Sequence, residues 1–129
     1  MEAGHIALAT GWLAVLGGVV SGMALGLHFH REDWLGGYGS FARRMLRLGH
    51  IAFFGLGFLN LFLAFSIREI GLAAPFDAFA AGGFLVGALT MPATCLLTAW
   101  RAPFRQLFPV PVLSIVAGLA CLFAGWGLA

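Results

Sequence analysis

Apolar positions in this chain fall in four long continuous runs rather than in alternation. A helix that crosses a bilayer needs about 20 mostly apolar residues. Four stretches meet that length: about 6–27, 45–67, 78–100 and 110–128. The first contains no charged residue, and the second is interrupted by Arg47 near its start and by His50. Strands of a membrane barrel would alternate over segments of about ten residues; these runs do not. The connections are short, roughly 31–44, 68–77 and 101–109. Short connections make sequential helices antiparallel neighbours and leave no room for a soluble domain. The pattern predicts an all-α integral membrane protein. It would form one domain over residues 1–129, with four transmembrane helices in an up-and-down bundle.

Each run carries a stripe of small or polar residues at helical spacing. In the first it is Thr10, Gly17, Ser21, Ala24 and His28, with Gly18, Gly22 and Gly26 beside it. In the second, His50, Gly57 and Ala64 recur, with Phe53 and Asn60 in the next row. The third has Gly83, Gly87, Thr90, Thr94 and Thr98; the fourth has Ser114, Gly118, Cys121 and Gly125. Lipid gives apolar helices no reason to associate, so close packing relies on small residues and shared polar groups. The stripes predict the faces that meet. The Gly18/Gly22/Gly26 row suits either this bundle or self-association with another chain or subunit. Pro92 should kink the third helix, with Thr90 and Thr94 placed to bond the freed carbonyls. Asp77 should cap that helix.

Composition narrows the class. Apolar residues make up 61% of the 129, charged residues only 9%, and mean hydropathy is +0.98. Soluble domains run at about 45–50% apolar and about 25% charged. This excludes a soluble enzyme and a disordered segment. The net charge of +2 is too small for a nucleic-acid footprint, so no nucleic acid is expected as a partner. All seven basic residues are arginines, and six of them (Arg31, Arg43, Arg44, Arg47, Arg101 and Arg105) fall on one side of the predicted bundle. Arginine-rich loops stay in the cytoplasm, so both termini are expected outside, in a bacterial inner membrane. Trp12, Trp34, Trp100 and Trp126 lie near predicted span ends, as interfacial aromatics do. The first residues lack the basic start of a signal peptide, so the first span is expected to be retained. Cys95 and Cys121 both sit in apolar runs and read as small core residues.

Four histidines carry the chemistry. His5 belongs to the outer end. His28 and His30 end the first span on the inner side. His50 lies about 9 Å deeper in the second, at 1.5 Å per residue. An ionisable side chain inside a membrane marks a functional position. With the first two helices staggered, His28 or His30 approaches His50. That geometry suits a b-type haem held by two histidines, with Arg44 and Arg47, and Arg43 beside them, on the propionates. The same arginines suit anionic lipid headgroups. Other readings leave His50 bonded to Ser21 or a backbone carbonyl, or in contact with protons or quinone. His28 and His30 with Glu32 or Asp33 make a weaker metal set, and Met91 with Cys95 reads as core. The Gly-rich connection 31–44, with Trp34, Tyr38 and mixed charge, suits the headgroup level and a docking partner.

No span holds a carboxylate, and the chain has no nucleophile–base arrangement, phosphate loop, Cys-x-x-Cys or HEXXH. A stand-alone enzyme is not expected. The leading expectation is an accessory or structural subunit of an inner-membrane respiratory complex, with haem or quinone near His50. The alternative is a homo-oligomeric channel or transporter, with a polar path through Asn60 and the Thr90/Thr94/Thr98 row.

Overall fold

The computed structural model describes residues 2–128 and is helical throughout, with no strand among them. Helix α1 covers Glu2–His28, α2 Phe41–Ile70, α3 Phe76–Trp100 and α4 Pro109–Trp126. All four apolar segments are long enough and apolar enough to cross a membrane. Short 3-10 turns at Trp34–Gly36 and Ala102–Leu107 lie in the first and third connections.

Local chemistry sets the ends. Helix α2 starts at Phe41, ahead of the expected 45, because Ser40 is extended and its hydroxyl accepts the Arg43 N–H at 3.2 Å. It stops at Gly71, which adopts the left-handed conformation (φ 71°) and donates its N–H to the Ile67 carbonyl. Asp77 does not cap α3 from outside. The helix begins one residue earlier, and the Asp77 carboxylate accepts the Ala78 N–H at 2.7 Å from within the first turn. Pro109 opens α4 at a position where a missing N–H costs nothing. Pro92 is fully buried inside a continuous α3. Thr90 bonds the Val86 carbonyl at 2.6 Å. That is not the Ala88 carbonyl, which the proline leaves free by its position four residues on.

The helices run up and down, and glycines set their separations. Along α1 and α2, Gly11 and Gly57 meet face to face. A Cβ on Gly11 would stand 2.9 Å from the Gly57 carbonyl oxygen, and one on Gly57 would stand 3.1 Å from that of Gly11. Along α3 and α4, Gly83 meets Ser114 and Gly118, and Gly118 in turn receives Phe84. Between α2 and α3, Gly49 packs on Cys95. Each helix thus packs on the next in sequence, and α1 also touches α3. Helix α4 rests mainly on α3. Its small-residue stripe meets α3 and the α2–α3 connection rather than a four-way interior.

The tight core sits at one end. Ala3, Ala7, Leu63, Ala64, Ile67, Ala80, Ala81, Phe84 and Leu122 form one buried cluster. These are the first turns of α1 and α3 and the last turns of α2 and α4. Small residues there bring backbones together, and Leu63 and Phe84 fill the space between. The opposite end, where α1 finishes and α2 begins, is less tightly filled and holds a cavity.

Candidate functional site

The cavity has a volume of about 210 Å³. Its walls come from α1 (Ser21, Ala24, Leu25, His28), α2 (Leu46, His50, Phe53), Leu96 of α3 and Trp34 of the first connection. Two of the residues singled out in the sequence, His28 and His50, therefore share one wall system.

His50 reaches its place because Gly22 is opposite. A Cβ on Gly22 would fall 2.8 Å from His50 Cε1. Gly18 does the same for the Phe54 ring, at 2.7 Å, and Gly17 for Phe53, at 2.8 Å. Gly18 and Gly22 thus receive side chains of the same chain, while nothing lies within 4 Å of a Cβ placed on Gly26. Edge-on contact with Phe54, 5.3 Å between ring centroids, holds the imidazole from the other side. Its Nδ1 lies 3.0 Å from Ser21 Oγ, and that hydroxyl lies 3.0 Å from the Gly18 carbonyl oxygen.

His28 ends α1 and bonds through Nδ1 to the Ala24 carbonyl at 2.9 Å. Trp34 stacks on it, 5.0 Å between centroids and 24° between planes. The connection turns sharply just after that indole. Leu35, Gly36 and Gly37 all have positive φ (53°, 84° and 96°). Glycine accepts this freely, while leucine does so at a cost that its surroundings must cover. Arg43 anchors the turn. It is 95% buried by side-chain packing (5% exposed), donates Nη2 to the Arg31 carbonyl, and lies 5.2 Å over the Trp34 ring. Its Nε has no partner, and no carboxylate among the described residues pairs with it; the ion pair present there is the exposed Arg68–Glu69 contact at 3.9 Å. A buried guanidinium held by a carbonyl and a ring face is a structural clamp, in which packing and cation–π contact replace a counterion.

The remaining expected residues lie apart from this cavity. Arg47 is 4.4 Å over Tyr38 and donates Nη1 to the Tyr38 carbonyl at 3.2 Å. Arg44 and His30 are exposed and do not line the cavity. Among the described residues no three of His, Cys, Asp and Glu converge as metal ligands. Trp34 and Arg43 are the residues around this cavity that spacing did not single out for this role. The tryptophan read as an interfacial aromatic, and the tight turns between His28 and Trp34 place it on His28.

The polar row of the middle of the chain is satisfied only in part, and Thr98 Oγ1 is buried without a partner. Asn60, fully buried, donates to the Leu56 carbonyl of its own helix at 2.9 Å and to Phe84 of α3 at 3.4 Å. Its Oδ1 is unpartnered. Thr90 and Ser114 each bond the carbonyl four residues back. Thr94 and Thr98 are closed from solvent. Replacing Asn60 by leucine removes one long interhelical bond and one unpartnered acceptor together. Interhelical hydrogen bonds in membrane proteins average about 0.6 kcal/mol. We expect Asn60→Leu to change stability by less than about 1 kcal/mol in a reversible detergent unfolding titration. A polar path through Asn60 would instead be closed by the same change, which a liposome flux assay reads.

Comparison with family models, with curated proteins and with solved structures finds no match for this chain.

Proposed function

We propose that this chain is an integral membrane protein of a bacterial inner membrane, with both termini outside. In this reading it serves as a small subunit of a redox complex. Its own chemistry is contact with a lipid-soluble quinone carrier at the cavity between the end of α1 and the start of α2. The observation that carries this is the pairing of His28 and His50 on one otherwise apolar cavity, each fixed through Nδ1. An apolar pocket with a few convergent polar groups is how proteins bind small apolar ligands with a polar head. Ionisable side chains within helices of this kind mark functional positions. The many large apolar side chains on the perimeter, Leu13, Met23, Phe62 and Leu89 among them, suit a lipid environment.

A second reading places the iron of a b-type haem between the two histidines. A ring nitrogen held by a carbonyl or hydroxyl is the usual support for an imidazole that ligates metal, and both rings have that support. Size favours the carrier. A volume of about 210 Å³ is below the about 300–1,000 Å³ of pockets that enclose drug-sized ligands. It admits a single-ring headgroup, whereas a haem needs the walls to part. Neither Arg44 nor Arg47 is turned to this cavity to meet propionates.

Purification in mild detergent separates the outcomes. We expect extractable quinone near one per chain together with co-purifying membrane subunits, and loss of the quinone in His50→Ala. A b-type α band in the reduced-minus-oxidised spectrum would install the haem reading instead. A pure, folded chain with neither pigment nor quinone nor partner would end both.

A further inference from the structure

The hydrogen bonds around the cavity fix which form of a carrier it accepts. A serine hydroxyl has one proton to give. Ser21 Oγ lies 3.0 Å from the Gly18 carbonyl oxygen, which only accepts, so the proton is there. The contact of 3.0 Å between Ser21 Oγ and His50 Nδ1 then requires the proton of that bond on the imidazole. Neutral His50 is the Nδ1–H tautomer, and its Nε2 is a bare acceptor. The same holds at His28, whose Nδ1 faces the Ala24 carbonyl at 2.9 Å and must donate. Neither Nε2 has a hydrogen-bond partner among the described residues. Both histidines of the cavity thus carry acceptor nitrogens. The one donor left on its walls is the Trp34 indole N–H; Ala24, Leu25, Leu46, Phe53 and Leu96 have no polar side-chain atom.

We propose that the cavity binds a hydroxyl-bearing aromatic headgroup, the hydroquinone form of a lipid carrier, in preference to the quinone. A hydroquinone brings a hydroxyl proton to the His50 acceptor, which a quinone cannot, and its lone pairs suit the Trp34 N–H. A quinone brings acceptors only, and leaves the Nε2 lone pair of half-buried His50 unpaired, while His28 is exposed. Leaving buried polar groups unpaired is what makes recognition of a hydroxyl selective. The Phe53 ring supplies an aromatic wall for the headgroup. This inference rests on the quinone-carrier reading above.

The test compares three short-chain probes by calorimetry in detergent, without oxygen: a hydroquinone, its dimethyl ether and the matching quinone. The ether has the same ring and no proton to donate. We expect the full chain to bind the hydroquinone about tenfold or more tightly than the ether or the quinone, since a tenfold ratio corresponds to about one well-made hydrogen bond. His50→Phe should erase that preference. Ser21→Ala, which removes the acceptor that holds the Nδ1 proton, should let His50 place its proton on Nε2 and narrow the gap between hydroquinone and quinone. Equal binding of hydroquinone and ether, or an unchanged preference in Ser21→Ala, overturns the inference and leaves the carrier reading in place. No binding of any probe, with no carrier co-purifying, overturns both.

Discussion

Gly83→Leu should unfold the α3–α4 pair, lowering stability by about 3 kcal/mol or more, the upper range for overpacking. A Cβ at this position would stand 2.6 Å from the Ser114 carbonyl oxygen, 2.9 Å from Gly118 Cα and 3.0 Å from Gly118 N. All three are backbone atoms of α4. No rotamer change relieves them, so the helices must separate along their whole contact. That contact also seats Phe84 against Gly118, and Phe84 belongs to the buried cluster. Gly82 is the control one residue away. Nothing lies within 4 Å of its Cβ, and Gly82→Leu should stay within about 0.5 kcal/mol, as outward-facing substitutions do. Any shift there should be upward, because leucine suits a helix better than glycine. Thermal unfolding of both variants in the same detergent decides the matter. Equal midpoints would show that α4 has room to move and that the glycine contact does not hold this pair.

The four helices were legible because bilayer-length apolar runs leave few other solutions. The small-residue stripes named the packing faces for the same reason, since few other residues let backbones touch. What the stripes do not encode is which helix each one meets. Gly118 and Gly125 looked like one quarter of a shared interior, and they meet α3 and the α2–α3 corner at Leu72 and Phe76. Nor does a stripe say whether a glycine row serves its own chain. Gly18 and Gly22 take the rings of Phe54 and His50, and Gly26 faces open space. Of the candidate site, His28 and His50 were readable from register along antiparallel helices. The arginine roles were not. Arg43, Arg44 and Arg47 are indistinguishable as a cluster near a helix start, and helix phase alone buries Arg43 and exposes Arg44. Trp34 depends on the successive tight turns between Gly26 and Trp34, a backbone path that side-chain pattern does not report.

The two ends of the molecule divide the work. At the end where α1 starts, alanines and glycines close the backbones around Leu63 and Phe84. At the other, the glycines of α1 are opposed by the rings of Phe53, Phe54 and His50. Ring contacts leave volume between them, and the cavity is that volume. The first end is closely packed and the second loosely filled.

Gly22→Ala tests that division, and it should abolish the site while sparing the fold. The added methyl would lie 2.8 Å from His50 Cε1 and 3.5 Å from both ring nitrogens. The obstacle here is the far end of a side chain, so the ring swings away and the backbones keep their distance. Its bond to Ser21 Oγ at 3.0 Å cannot survive that swing, and the imidazole loses both its tautomer and its place on the cavity. Stability should change little, because alanine gains up to about 1 kcal/mol over glycine within a helix, which offsets the disturbed ring contact. Carrier binding should fall by about tenfold or more, the equivalent of one well-made hydrogen bond. The Nδ1–H resonance of His50 should shift or vanish in a nitrogen-correlated NMR spectrum. Gly26→Ala adds the same methyl four residues on, where nothing lies within 4 Å. It should raise stability slightly and leave both the resonance and the bound carrier untouched. Should Gly22→Ala keep the resonance and the carrier, then His50 is not held by the Gly22 gap and Ser21, and the chemistry assigned to this cavity belongs elsewhere.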